Sequence, residues 1–401
     1  MHIKHPLNLM SAQFGANDLA YYAWLRNEAP VYKGKYAFMT AYFISRYDDV
    51  TALLKDPRLV RNRSRVKGGS KLPFPAPKMI QLLANNMLLE DEPEHRRLRN
   101  LVHKAFTPRT VAQMSARMEH LTHELLDKAA KKGEVDLMDD YALPIPATII
   151  AEMVGVPKED ERVFLEFSHA LANPVSVKTI ASWYFGIRGL MKYSRTLIAK
   201  RRANPQDDLL SGLILAEDEG QKLTEDELIS MVLLLVLAGY ETTVNLISNA
   251  TKALLEHPEQ LSLLRAQPAL MDSMIEEVIR YDGPVQSTKP MYNTESITLH
   301  GVTIPRGATV FPLLGSANRD ETVFERANQF DITRSPNKHV GFGQGIHYCL
   351  GAPLARLESK VALTNLLERF PDLRLAVAPE QIRYLPRPMM HRLERLPVAL
   401  T

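Results

Sequence analysis

At 401 residues, 45% of them hydrophobic and 24% charged, the chain has the make-up of a globular protein with a sizeable core, which excludes a low-complexity or disordered polypeptide. Its 49 basic and 46 acidic residues leave a net charge of only +3, and no arginine–aromatic stripe accompanies them, so no nucleic-acid partner is expected. A single cysteine excludes an intrachain disulfide framework and fits a reducing, cytoplasmic setting.

The first residues, Met1-His2-Ile3-Lys4-His5-Pro6-Leu7, lack the long apolar stretch of a signal peptide or membrane anchor. Residues 36–47 are aromatic and β-branched and predict a strand. Residues 61–77, basic and then rich in glycine and proline, predict a long loop, either functional or a surface excursion. A helix is predicted after Pro93, with acidic residues at its start. Along it, His95 and Arg99 lie four apart, able to address one anionic group together or to form part of a solvated face. Arg96, Arg97, His103 and Lys104 make a second basic set on this segment. Thr107-Pro108, Asn173-Pro174 and His257-Pro258 mark breaks between helical stretches.

Thr224-Glu225-Asp226-Glu227 is a capping box that opens a helix running to about Glu256, roughly 45–50 Å long. Its apolar run, residues 231–239, falls short of the ~20 residues of a membrane span and reads as core. Gly239, Glu241, Thr242 and Thr243 follow. The glycine costs about 1 kcal/mol in a helix, and an unpaired buried glutamate costs more. The segment is either a functional break of a local rule or a kink whose threonines bond back to carbonyls. Glu277 and Arg280 share a helix face in the pattern of residues 268–281, an arrangement worth only ~0.2–0.5 kcal/mol at a surface. Strands are predicted at 296–299 and 309–313, beside turns at His300-Gly301 and Pro305-Arg306-Gly307.

Cysteine enters last, in Phe342-Gly343-Gln344-Gly345-Ile346-His347-Tyr348-Cys349-Leu350-Gly351. A helix follows, signalled by Ala352-Pro353 and by Leu354, Leu357 and Val361 at helical spacing. Sulfur at a helix N-terminus meets free N–H groups and the positive end of the dipole, which favour a thiolate. Such a thiolate suits a single ligand of haem iron, with glycines letting the backbone approach a flat porphyrin. A lone cysteine is more often a small buried hydrophobe. A catalytic nucleophile is a third reading, with His347 the only base at hand.

The full spacing, Phe-x-x-Gly-x-His-x-Cys-x-Gly, resembles the haem-binding loop of the cytochrome P-450 family in its soluble bacterial form. The resemblance spans Tyr21 to Leu400, with five landmarks in family order. It implies a mainly α fold with minor β, one domain over residues 1–401, and haem b held between the long central helix and the Cys349 loop. Cys349 is then the iron ligand. Ala238-Gly239-Tyr240-Glu241-Thr242-Thr243 resembles the oxygen-activation motif, in which Ala-Gly opens a groove beside the iron. Glu241 and Thr242 are its proton-relaying acid and alcohol, and their presence favours dioxygen over peroxide.

The same resemblance places Leu88, His95, Arg99, Phe106, Ala238, Gly239, Lys289, Phe342, Gly343, His347 and Gly351 around the cofactor. Among these, His95, Arg99 and His347 face the propionates. Glu277 and Arg280 match the family's Glu-x-x-Arg pair. Its usual third arginine falls at Gln329, leaving Arg334 or Arg326 as substitutes. Leu88, Leu234, Leu235, Val285, Gln286 and Met389 line the substrate pocket, and the 61–77 loop covers it. The implied reaction is hydroxylation or epoxidation of a lipophilic small molecule. NAD(P)H supplies electrons through a reductase and a ferredoxin or flavodoxin, docked on Arg96, Arg97, His103 and Lys104. A cytoplasmic monomer without a membrane anchor is expected. Two rivals, a haem-thiolate sensor and an oxygen-independent isomerase or dehydratase, have no need of the Glu241-Thr242 pair.

Overall fold

The computed structural model describes residues 6–68, 71, 81–82, 84–172, 180–385 and 389–400. Helices dominate them: α1 (Asp18–Glu28), α2 (Glu94–Ala105), α3 (Ser115–Ala130), α4 (Pro144–Val154), α5 (Glu161–Ala172), α6 (Ile180–Ala203), α7 (Leu209–Leu215), α8 (Glu225–Glu256), α9 (Met271–Asp282) and α10 (Ala352–Arg369), with shorter turns between. The predicted capping box is present: Thr224 accepts from the Glu227 amide, and the Glu227 carboxylate accepts from the Thr224 amide at 2.7 Å. Helix α8 is the hub, with α4, α9, α10, α5 and α6 packed around it. Its length and composition would suffice for a membrane span, contrary to the expectation from the apolar run alone. Most of that stretch is buried in the protein's main core.

The minor β component is a five-stranded sheet of order β1 (Val31–Tyr36), β2 (Met39–Ile44), β7 (Thr309–Pro312), β4 (Met291–Asn293) and β3 (Leu59–Val60), with smaller pairings elsewhere. The single strand predicted at 36–47 is a correction. The chain turns at Ala37, whose φ is 54°, so β1 and β2 form a hairpin, and Tyr47 already starts a short helix. The turn predicted at His300-Gly301 joins β5 (Ile297–Leu299) to β6 (Val302–Ile304), with both turn residues at positive φ as a tight two-residue hairpin requires. Of the predicted 61–77 loop, Ser64–Lys67 forms a helical turn, while 69, 70 and 72–77 lie outside the described residues.

Candidate active site

The Cys349 loop is shaped by local backbone chemistry. Gly343 and Gly345 both sit at φ 70°, and a side chain at 345 would strike the Leu54 carbonyl oxygen at 2.5 Å. The Cys349 amide donates to the Phe342 carbonyl at 2.9 Å, closing the loop, and Gly351 caps α10 with Pro353 in its first turn. A Cβ added to Gly351 would meet nothing within 4 Å, so open space lies beside the sulfur's neighbour. Burial pushes the Cys349 thiol up. The amides of Gly351 and Ala352 and the guanidinium groups of Arg99 and Arg356 pull it down without prevailing. The helix terminus thus acts on the sulfur with the expected sign, and desolvation outweighs it.

Opposing open space interrupts α8. The helix is buried from Leu228 to Leu233 and from Thr243 to Thr251, yet Leu234 and Leu235 are half-buried and Leu237 and Ala238 are exposed. An opening in the middle of a core helix marks an internal cleft, and its wall here is apolar. The missing side chain of Gly239 points elsewhere: a Cβ there would lie 2.7 Å from Ile150 on α4. Gly239 therefore permits close approach of α4, and Ala238 makes the groove. Thr242 donates to the Ala238 carbonyl at 2.6 Å, the back-bonding alternative of the sequence reading. Glu241 is not buried alone, because Arg392 reaches it at 3.2 Å.

A cationic cluster connects the two walls. His95 and His347 meet edge to face, ring centroids 4.4 Å apart. Burial lowers both imidazoles, His347 to about 2, with Arg61 and Arg99 adding to it. Arg61, which the sequence reading missed, is buried and donates to the Lys289 carbonyl at 3.0 Å. Lys289 is open to the cleft. Enclosure by protein lowers its pKa, Arg61 adds to that, and nearby Glu241 opposes it. Three buried nitrogens here, His95 Nδ1, His347 Nε2 and Arg61 Nε, have no hydrogen-bond partner among the described residues. Orphaned buried polar atoms on one cationic spot call for an anionic guest, and the two carboxylates of haem b fit them.

Arg99 does something other than stand beside His95. Both its terminal nitrogens donate at 2.9 Å to carbonyls of the Cys349 loop, those of Ile346 and Tyr348. Phe342 is half-buried and carries the Arg356 guanidinium 4.5 Å above its ring. Phe106 is packed into the main core at the end of α2, and Leu88 is half-buried on a single helical turn.

Glu277 and Arg280 are no surface pair. Both are fully buried, joined at 2.7 and 2.8 Å, and Arg280 also donates to the carbonyls of Asn318, Ala327 and Gln329. Arg334 is the third partner, 3.1 Å from Glu277, whereas Arg326 turns to Asp331 at 3.6 Å. On α10, Glu358 is fully buried against Thr243 of α8, and burial pushes it up to about 8 against the opposing Thr243 hydrogen bond.

One set of expected residues, the basic docking set on α2, needs correction. Among the expected pocket residues, Gln286 is tied to its own backbone turn. It is buried, donates to the Gly283 carbonyl at 2.8 Å, and fills the space a Gly315 side chain would need. Val285 and Met389 are half-buried against the two smaller core clusters. The basic docking set is largely neutralised: Arg97 is held by Glu94 and Glu227, Lys104 by Asp218 at 2.7 Å, and Arg96 by Glu92 at 3.0 Å.

With this geometry in view, comparison with known proteins is decisive. The family model described as Cytochrome P450 matches residues 4–267 and 264–380. The chain belongs to the cytochrome P450 family. It is 40% identical to the polyketide biosynthesis cytochrome P450 PksS of Bacillus subtilis, over 97% of each chain, and superposes on the PksS structure with a TM-score of 0.92 over 98% of this chain and all of that one. It is 37% identical to 6-deoxyerythronolide B hydroxylase of Saccharopolyspora erythraea, over 98% of each chain. The structure of P450BioI in complex with hexadec-9Z-enoic acid ligated acyl carrier protein matches with a TM-score of 0.88 and 39% identity, over 97% and 99% of the two chains. This cytochrome P450 is a haem-thiolate monooxygenase that binds haem b.

Proposed function

We propose that this cytochrome P450 hydroxylates or epoxidises an extended aliphatic chain of the fatty-acyl or polyketide class, free or borne on an acyl carrier protein. The apolar opening in α8 carries the reading: Leu234, Leu235, Leu237 and Ala238 offer no polar group to orient a functionalised ring. The relatives PksS, 6-deoxyerythronolide B hydroxylase and P450BioI support the class. Electrons come from NAD(P)H through a ferredoxin or flavodoxin and its reductase. The protein acts as a cytoplasmic monomer of one domain.

Haem b, when bound, supplies the oxygen activation and the oxidation itself. The chain's residues provide the setting. Cys349 would hold the haem iron through its thiolate. Arg99 and Arg356 hold its loop in place. His95, His347 and Arg61 take the propionates, with Lys289 a further point charge. Thr242 hands protons inward from its hydroxyl, and Glu241, held by Arg392, resupplies it. Difference spectra of the haem-loaded protein test the substrate class. Displacement of iron-bound water by long-chain fatty acids, and not by macrolactones, steroids or small terpenoids, supports it; the reverse pattern refutes it.

A further inference from the structure

Helix α6 carries Arg188, Lys192, Arg195, Lys200, Arg201 and Arg202 and, over all 24 residues, no acidic residue. Arg201 turns inward to Asp208, and Arg202 meets Glu225 at 3.1 Å. The other four are exposed and form no ion pair among the described residues. Arg188, Lys192 and Arg195 follow one another at i, i+4 and i+7 and so share one face, with Lys200 two turns beyond Lys192. These three span ~10 Å along the helix, and Lys200, ~80° round from Lys192, extends the basic stretch to ~18 Å. Lys192 and Lys200 also border a shallow depression of ≈ 380 Å³ on this face, with Tyr193 and Asp160 joined by a 3.1 Å hydrogen bond at its edge. Four exposed cations outnumber the acidic neighbour at this depression, Asp160, and their mutual repulsion invites an acidic surface.

We infer that this face of α6 is where an acidic acyl carrier protein docks to present its chain. The inference rests on the carrier-borne reading above and deepens it. Two observations favour a carrier over the redox partner. Helix α6 packs on α8, whose apolar opening is the proposed wall for the chain. The ties to the Cys349 loop come instead from Arg99 on α2 and Arg356 on α10. A relative of the same fold also accepts a carrier protein.

The test uses haem-loaded wild type and the double variant Lys192→Glu/Arg195→Glu, with unchanged carbon monoxide spectra confirming its fold. Binding of fluorescently labelled acyl carrier protein is read by anisotropy at low and raised salt. Wild type should bind in a salt-sensitive manner, and the variant about tenfold or more weakly, because both encounter and hold depend on exposed opposite charges. Equal affinity of the two proteins overturns the inference. So does a variant that binds carrier normally but is reduced more slowly by a ferredoxin system, since α6 would then be the redox face. Free palmitic acid and palmitoyl-loaded carrier, titrated in parallel, separate the two claims: failure of both to displace iron-bound water refutes the substrate class, whereas response to the free acid without carrier binding overturns only the docking face.

Discussion

Replacing Arg334 by alanine should destabilise the protein strongly, while the same change at Arg326 should leave it nearly untouched. Arg334 is 9% exposed and donates to the fully buried Glu277 at 3.1 and 3.3 Å, and its terminal nitrogens reach the carbonyls of Glu325, Arg326 and Gln329. Glu277 keeps Arg280, Asn337 and the Asp331 amide when Arg334 is lost. The full penalty of an unpaired buried charge, ~3–5 kcal/mol, is therefore not reached. A lost charge-assisted hydrogen bond costs ~1.5–3 kcal/mol, and the three carbonyls add a little, so about 3 kcal/mol is expected. That is roughly a hundredfold shift in the folded-to-unfolded ratio. Arg326 is 60% exposed and 3.6 Å from Asp331, a surface pair worth ~0–1 kcal/mol. Urea unfolding of both haem-loaded variants, followed by far-ultraviolet circular dichroism, reads the difference. Equal midpoints, or a larger loss at Arg326, would refute this assignment of the third partner.

Thr242→Ala should keep haem and substrate binding but divert electrons to peroxide, measured as the ratio of product to NAD(P)H consumed; tight coupling in that variant removes the hydroxyl's role. Arg61→Met should speed haem loss to an apoglobin acceptor about tenfold, since a buried charged donor to a carboxylate is worth ~1.5–3 kcal/mol, and unchanged retention would detach Arg61 from the cofactor. His391 yields a pH prediction. Against opposing burial, hydrogen bonds to Asp18 and Asp282 lift it to about 9, and burial of Asp282 is likewise overcome, mainly by His391, which holds it down at about 2. A raised histidine contributes stability fully below its unfolded pKa of ~6.5 and loses it as pH climbs through about 9. The stability advantage of wild type over His391→Gln should shrink between those limits in unfolding midpoints measured across pH. A constant gap would contradict the clamp.

What the residues disclosed beforehand was whatever is decided locally. The capping box at Thr224, the Pro353 helix start and the glycine-rich Cys349 loop involve residues a few positions apart, so their geometry follows from sequence spacing. Partners chosen by tertiary packing were not legible. Arg61 and Arg392 reach their counterparts across 228 and 151 positions, and nothing local distinguishes them from surface arginines; Arg334, 57 positions from Glu277, was narrowed only to a choice with Arg326. Spacing likewise placed Arg97 and Lys104 on a basic helix without revealing that Glu227 and Asp218, more than a hundred residues on, neutralise them. The orientation of Gln286 was likewise not legible, because which way a side chain turns depends on the space left by Gly315.

The measurement that tests the account most directly is the absorption spectrum of the reduced, carbon-monoxide-bound, haem-loaded protein, wild type beside Cys349→Ser. Ligation by the Cys349 sulfur predicts the red-shifted Soret band of a thiolate complex in wild type and its disappearance in the serine variant. A wild-type band at the position of a histidine-ligated haem, or a thiolate band that survives the substitution, would contradict it.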